Sequence, residues 1–333
     1  MSSSFQGPTS GEAAQGSGEE IAHDDGFAAA FVRDPDLLPL RLSGQCWGDR
    51  SIALDLPAGP YRIHGLTAAQ VEQLREKYGR RAKDDVARRS AIDVSAFQVA
   101  TSEFLPHPLD GAPYRMQFEY GVSRIRIVTH DFVGLMQLDG SGAPGRCGIF
   151  SGDEAGLLEG GSLENLLRVV MAYSALARGG LLLHSAAVLR KDQAFVFVGK
   201  SGAGKSTVSR LSAEAGLGVL SDDINVLLPD PDTDDGLTFA IEQVPFAGDF
   251  RDAPTVLGRH PVAGILALRH GERHRVEPIS PARGSAVLAA HAPFVNSDPE
   301  RSDTLLSTAA SLVARLPTNR LDFLPDAGFW ELL

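Results

Sequence analysis

Cysteine is almost missing: the 333-residue chain has two, Cys46 and Cys147. They lie far apart and in no ligand spacing, which excludes a disulfide framework and a zinc site. Such sparing use fits a reducing compartment, and both read as small buried hydrophobes. Positive charge is also short. There are 31 Lys plus Arg against 42 Asp plus Glu, a net charge of −11, so bulk electrostatics does not draw this chain to nucleic acid. Basic clusters of the kind that hold proteins on anionic lipid are missing too. Long apolar runs are the third absence. The most apolar stretch, Leu163 to Leu189, is broken by Arg168, Arg178 and the pair Gly179–Gly180, too often for a membrane span. The N-terminus has no basic segment ahead of an apolar run, so no signal peptide is expected. Together these shortages predict a soluble, cytoplasmic protein whose partners are neither nucleic acid nor membrane.

What is present is a globular balance, with 43% hydrophobic and 22% charged residues, enough for a real core. The length accommodates two domains. Residues 1–26 are Ser-, Gly-, Ala- and Glu-rich without apolar period and read as a disordered tail. Residues 27–160 read as an α+β domain. Ile52, Leu54 and Leu56 alternate as in a half-buried strand, Thr67 and Gln70 form a capping box, and Met116, Phe118, Tyr120, Ile125 and Ile127 alternate about Gly121 as in a hairpin.

Residues 161–333 read as a second, α/β domain. Ser162 opens a helix whose apolar positions keep a helical period to Leu176, with Gly179 as C-cap. Leu181–Leu183, Ala186–Leu189 and Phe195–Val198 read as short strands, the last apolar enough to be buried on both faces. Further strands are expected at Phe239–Val244, Ile265–Leu268 and Arg275–Ile279, and helices at Ala282–Ala290 and Asp303–Arg315. A closing strand, Leu321–Phe323, and a tail, Phe329–Leu333, complete the chain.

The strongest signal is Gly199-Lys200-Ser201-Gly202-Ala203-Gly204-Lys205-Ser206-Thr207, which satisfies G-x-x-x-x-G-K-[ST] between an apolar strand and a helix. A phosphate chain needs many donors at close range. Glycines let the backbone turn its N–H groups inward, and the following helix aims its positive end at the phosphates. Lys205 would reach the β and γ oxygens of ATP, and Ser206 would ligate Mg²⁺.

Asp222 and Asp223 follow the apolar run Leu217–Leu220. A carboxylate at the end of a strand next to the P-loop strand is where such proteins hold magnesium or activate the attacking group, and two adjacent carboxylates allow one for each role. His184, among apolar neighbours ahead of the P-loop strand, reads by itself as a core histidine. His270 and His274 are spaced i, i+4 around Glu272, but Gly271 points to a loop, so a metal site has little support. Glu242, Asp249 and Asp252 flank Pro245–Gly248 and read as a solvated turn.

In order and spacing, His184, the loop Gly199–Ser206 and the pair Asp222–Asp223 resemble the catalytic core of HPr kinase/phosphorylase and its wider relatives, which are themselves similar to ATP-dependent phosphoenolpyruvate carboxykinases. The likeness covers about Gly179 to Pro229. It implies a P-loop kinase core of mixed sheet and flanking helices. Residues Gly199, Ser201–Gly204 and Lys205–Thr207 would bind ATP, and Ser206 with Asp223 would bind Mg²⁺. Asp222 or Asp223 would be general base on a serine-type hydroxyl, His184 would stand beside the phosphates, and a homo-oligomer is implied. True HPr kinases carry an Arg-Gly-Leu-Gly element downstream, where this chain has Gln243-Val244-Pro245-Phe246-Ala247-Gly248. That departure implies another acceptor: a protein, a peptide or a small hydroxyl compound. Two other functions share the motif, a nucleotide-switched binding or chaperone-like protein and a carboxykinase. The second would need basic residues for two carboxylates, and no clear set is visible.

Overall fold

The computed structural model describes residues 46–84, 91–99, 114–230, 238–246, 256 and 258–333. The tail at 1–26 and the positions Asp249 and Asp252 lie outside them. Two compact units emerge, one reaching Val170 and the other beginning at Met171 and including Leu56–Ala58.

The first unit is one sheet with helices. In chain order it comprises β1 (Arg50–Leu54), β2 (Tyr61–Leu66), α1 (Ala68–Tyr78), β3 (Ala82–Lys83), β4 (Ile92–Gln98), β5 (Gln117–Tyr120), β6 (Arg124–Val128), β7 (Phe132–Leu138), β8 (Pro144–Ser151) and α2 (Glu154–Leu158). The sheet order is β3-β1-β2-β4-β8-β7-β6-β5, with β4 parallel to both β2 and β8. The capping box opens α1 as expected: Thr67 Oγ1 accepts from the Gln70 N–H, and the Gln70 side chain accepts from the Thr67 N–H. The β5–β6 hairpin forms as well, pairing Tyr120 with Ile125. The first strand differs from its alternating pattern. Ile52, Ala53 and Leu54 are all buried, and Leu56 lies beyond the strand end.

The helix α3 (Ser162–Ala177) runs across the division between the units. It ends where Gly179 takes φ +73° and its N–H reaches the Leu176 carbonyl, a conformation glycine adopts without strain.

The second unit continues with β9 (Leu181–Arg190), β10 (Gln193–Val198), α4 (Lys205–Glu214), β11 (Gly218–Ser221), β12 (Ile224–Pro229), β13 (Phe239–Glu242), β14 (Arg259–His270), β15 (Arg275–Pro278), α5 (Pro281–Ala290), α6 (Ser302–Arg315) and β16 (Thr318–Phe323), then a 3₁₀ turn at Ala327–Leu332. It is α/β, as its alternating elements foretold. Two strand assignments need correction. Leu181–Leu183 and Ala186–Leu189 are one ten-residue strand, because His184 and Ser185 continue the ladder. The strand expected at Ile265–Leu268 extends over twelve residues.

Those two long strands organise the unit. β9 pairs with β12 through Leu181–His184, and with β10 and β11 through its second half. β14 pairs with β13 through Arg259–Pro261, with β10 through Val262–Ala267 and with β16 through Ile265–His270. The strands β9, β12, β13, β14 and β10 therefore close into a ring, and β10 is hydrogen-bonded along both edges. Val196, Phe197 and Val198 are wholly buried, as expected of a central strand.

The apolar face of α4, Val208 and Leu211, packs on Ala186, Val188, Phe197 and Leu266. Burial of each such side chain contributes about 1.5–3 kcal/mol. The same core includes Phe329 and Trp330, so the segment read as a tail is a packed turn. Trp330 Nε1 donates to Ser212 Oγ at 3.0 Å on α4, and Arg190 donates to the carbonyls of Trp330 and Leu333, each at 2.8 Å.

Candidate active site

The loop after β10 has the conformation that its glycines allow. Gly202 has φ +77° and Gly204 φ +103°, both in the left-handed region that suits glycine. A Cβ on Gly204 would lie 2.5 Å from Phe323 Cζ. The Ala203 N–H reaches the Lys200 carbonyl at 3.0 Å, and His270 Nε2 donates to the Gly202 carbonyl at 2.9 Å. Lys205 opens α4 with Ser206 exposed beside it and Thr207 half-buried. Ser201 and Gly202 are exposed at the loop tip, ahead of Ala203 and Gly204.

Lys205 is buried, 8% exposed, and its ammonium donates to the Gly199 carbonyl at 2.9 Å. Burial lowers its pKa, while the charges of Asp223 and Asp222 oppose that. The acidic pair stands in the break between β11 and β12. Ser221 Oγ accepts from the backbone N–H of Asp223 and of Ile224, at 3.2 and 3.3 Å, which holds the turn. A register irregularity between Val219 and Ser221 shifts this turn against β9; such bulges re-aim side chains. The Asp223 carbonyl accepts from the Ser185 N–H at 3.0 Å.

That contact brings His184 to the pair. Its Nε2 lies 3.6 Å from Asp223 Oδ1, just outside hydrogen-bond reach. Burial, then the charges of Lys205 and His291, pull the imidazole down to about 4, so the ring is neutral at pH 7. The three sequence signals, His184, Lys205 and Asp223, thus form one cluster. Asp222 is the more buried aspartate, 5% exposed.

The cluster has members that the sequence did not reveal. His291, just past α5, accepts the His184 N–H on its carbonyl at 2.8 Å, and its Nδ1 donates to Val287 at 2.8 Å. Burial lowers its pKa; the charges of Lys205 and Lys200 add to this, against backbone hydrogen bonds at Val287 and Gly199. It follows Lys205 by 86 positions and sits in no motif, so nothing local marks it. Asn225, fully buried, donates to Ser185 O at 2.7 Å and to Ser185 Oγ at 3.1 Å, locking β9 to β12 behind His184.

Other candidates point elsewhere. His270 is turned to Gly202, while His274 Nε2 lies 2.7 Å from Asp326 Oδ1, so the two do not converge on one ligand. Glu242 pairs with Arg259 at 2.7 Å. Among the described residues no three His, Cys, Asp or Glu gather to hold a metal ion. A magnesium ion would therefore rest on Ser206, one aspartate, phosphate oxygens and water. That donor set fits the ion, which binds by one or two carboxylates plus substrate phosphates. No helix among the described residues is long and apolar enough to cross a membrane. Compared with known proteins, the chain matches no family model and no curated sequence.

Proposed function

We propose that this chain is an ATP- and magnesium-dependent kinase of the HPr kinase and phosphoenolpyruvate carboxykinase type, transferring the γ-phosphoryl group to a serine-type hydroxyl. The observation that carries this reading is the meeting of a P-loop lysine with a carboxylate and a neutral histidine. Lys205 feels the charge of Asp223, and Asp223 lies 3.6 Å from His184. A protein that only binds nucleotide has no need of that trio.

The division of labour follows from chemistry. Backbone N–H groups of Gly202–Ser206 take the phosphate oxygens, and Lys205 offsets the charge that develops on the transferring group. Magnesium, held by Ser206 and Asp223, would supply charge neutralisation of the phosphates. Asp223 accepts the hydroxyl proton as the acceptor oxygen bonds to the γ-phosphorus and ADP departs. Neutral His184 beside it leaves the carboxylate free to take that proton. Asp222, deeper in the turn, supports the geometry.

Mass spectrometry of the protein with Mg-ATP and a panel of HPr, serine-bearing peptides and free L-serine tests this. A phosphoserine product that disappears in Lys205→Ala and Asp223→Asn is expected. Tight nucleotide binding with no transfer to any acceptor would overturn the kinase reading in favour of a nucleotide-switched binding protein.

A further inference from the structure

A cleft of about 360 Å³ adjoins the P-loop, within the usual range for small-molecule sites. It lies over the carboxyl ends of β10 and β14, and α5 forms its other wall. Its floor is apolar: Val198, Leu268, Ile279 and Val287. Among the described residues no carboxylate lines it. Of the cations at its rim, Arg269 and Arg320 are tied to Asp322 and Glu277. Lys200 and Arg283 form no ion pair among the described residues, and the Arg283 side chain is exposed on α5.

We infer that this cleft receives the base and ribose of the nucleotide, with the Arg283 guanidinium stacked on the base. The inference rests on the triphosphate reading of the P-loop and extends it. β10 has β9 on one edge and β14 on the other. The acidic pair and His184 belong to the β9 side, so the γ end of a triphosphate bound at Lys205 lies there. The nucleoside end must leave the loop in another direction, and the cleft opens on the β14 side. An apolar floor without acids suits a planar neutral heterocycle, and a guanidinium stacks well on such a ring. His291 separates the two regions, its carbonyl toward His184 and its side chain lining the cleft.

Calorimetric binding of ATP and of inorganic tripolyphosphate, both with magnesium, tests the assignment on the full chain. Two variants are compared: Arg283→Ala, an exposed truncation, and Val287→Trp, which fills the cleft. Both are expected to weaken ATP about tenfold or more, about 1.4 kcal/mol per decade, and to leave tripolyphosphate within about twofold. Unchanged ATP affinity in Arg283→Ala would overturn the inference. So would an equal loss of both ligands in that variant, which would make Arg283 a phosphate contact. Failure of the unaltered protein to bind either ligand would remove the P-loop reading itself, and the cleft assignment with it.

Discussion

The ammonium of Lys205 sits on the carbonyl oxygen of Gly199, six residues earlier in the same loop, at 2.9 Å. A buried cation needs a partner, and a phosphate in the loop competes with that carbonyl for it. Lys205→Ala is therefore expected to lower phosphoryl transfer on the order of 10²–10³-fold, the usual loss when one charge-stabilising donor is removed. Turnover with the preferred acceptor checks this, and near-normal turnover would refute the assignment.

The two aspartates are expected to separate by assay. Asp223 faces His184, whereas Asp222 is 5% exposed in the turn. Asp223→Asn should lose turnover by on the order of 10² or more, as befits a proton acceptor, and, because Asp223 also holds the magnesium, should weaken Mg-ATP more than metal-free ATP. Asp222→Asn should cost more in thermal stability than in turnover. The reverse pattern would exchange their roles.

His184 carries a stability signature. In the unfolded chain its ring binds a proton near pH 6.5, but folded only near 4. The unfolded state thus holds more protons between these values, and stability falls as pH drops from about 6.5 toward 4. The shift corresponds to at most about 3 kcal/mol, and the 31% exposure of the ring reduces that. Urea midpoints between pH 7.5 and 4.5 should decline less steeply in His184→Gln. Some slope will remain, since burial lowers the pKa of His291 as well. Superimposable curves would show that His184 titrates normally.

Gly204→Ala should abolish nucleotide binding and lower the melting temperature. Two faults coincide: φ +103°, which an L side chain rarely adopts, and a Cβ 2.5 Å from Phe323. Strained backbone of this sort costs on the order of 1–3 kcal/mol. Adding Phe323→Ala should relieve the clash but leave the strain, so nucleotide binding should recover only in part, while the melting temperature should stay low because Phe323 is itself buried in the core. Full recovery would assign the whole defect to Phe323.

The sequence disclosed most where the chemistry is local. The P-loop reads as a contiguous string, and Asp222–Asp223 stand out because an apolar run leads straight into them. The Thr67–Gln70 box is likewise a short-range device. What stayed hidden depends on contacts across long separations. β14 has exposed residues at both ends and apolar ones only in the middle, since its neighbours change along its length, so only Ile265–Leu268 looked like a strand. His291 meets His184 and the P-loop through the fold alone. Phe329 and Trp330 looked like a tail because a 3₁₀ turn that short has no readable period.

Because β9 pairs with β10 along one edge and with β12 along the other, an unbroken backbone ladder runs from the root of the P-loop, where Val198 pairs with Ser185, to the acidic turn, where Ile224 pairs with His184. In the proposed kinase, phosphate seat and proton acceptor would therefore be set at a fixed gauge, like rails on common sleepers. Widening or narrowing that gauge would shear a row of peptide hydrogen bonds at once. Side chains and the loop tip are the parts left free to adjust, so on the kinase reading discrimination among acceptors would fall to whatever approaches this rigid track from outside.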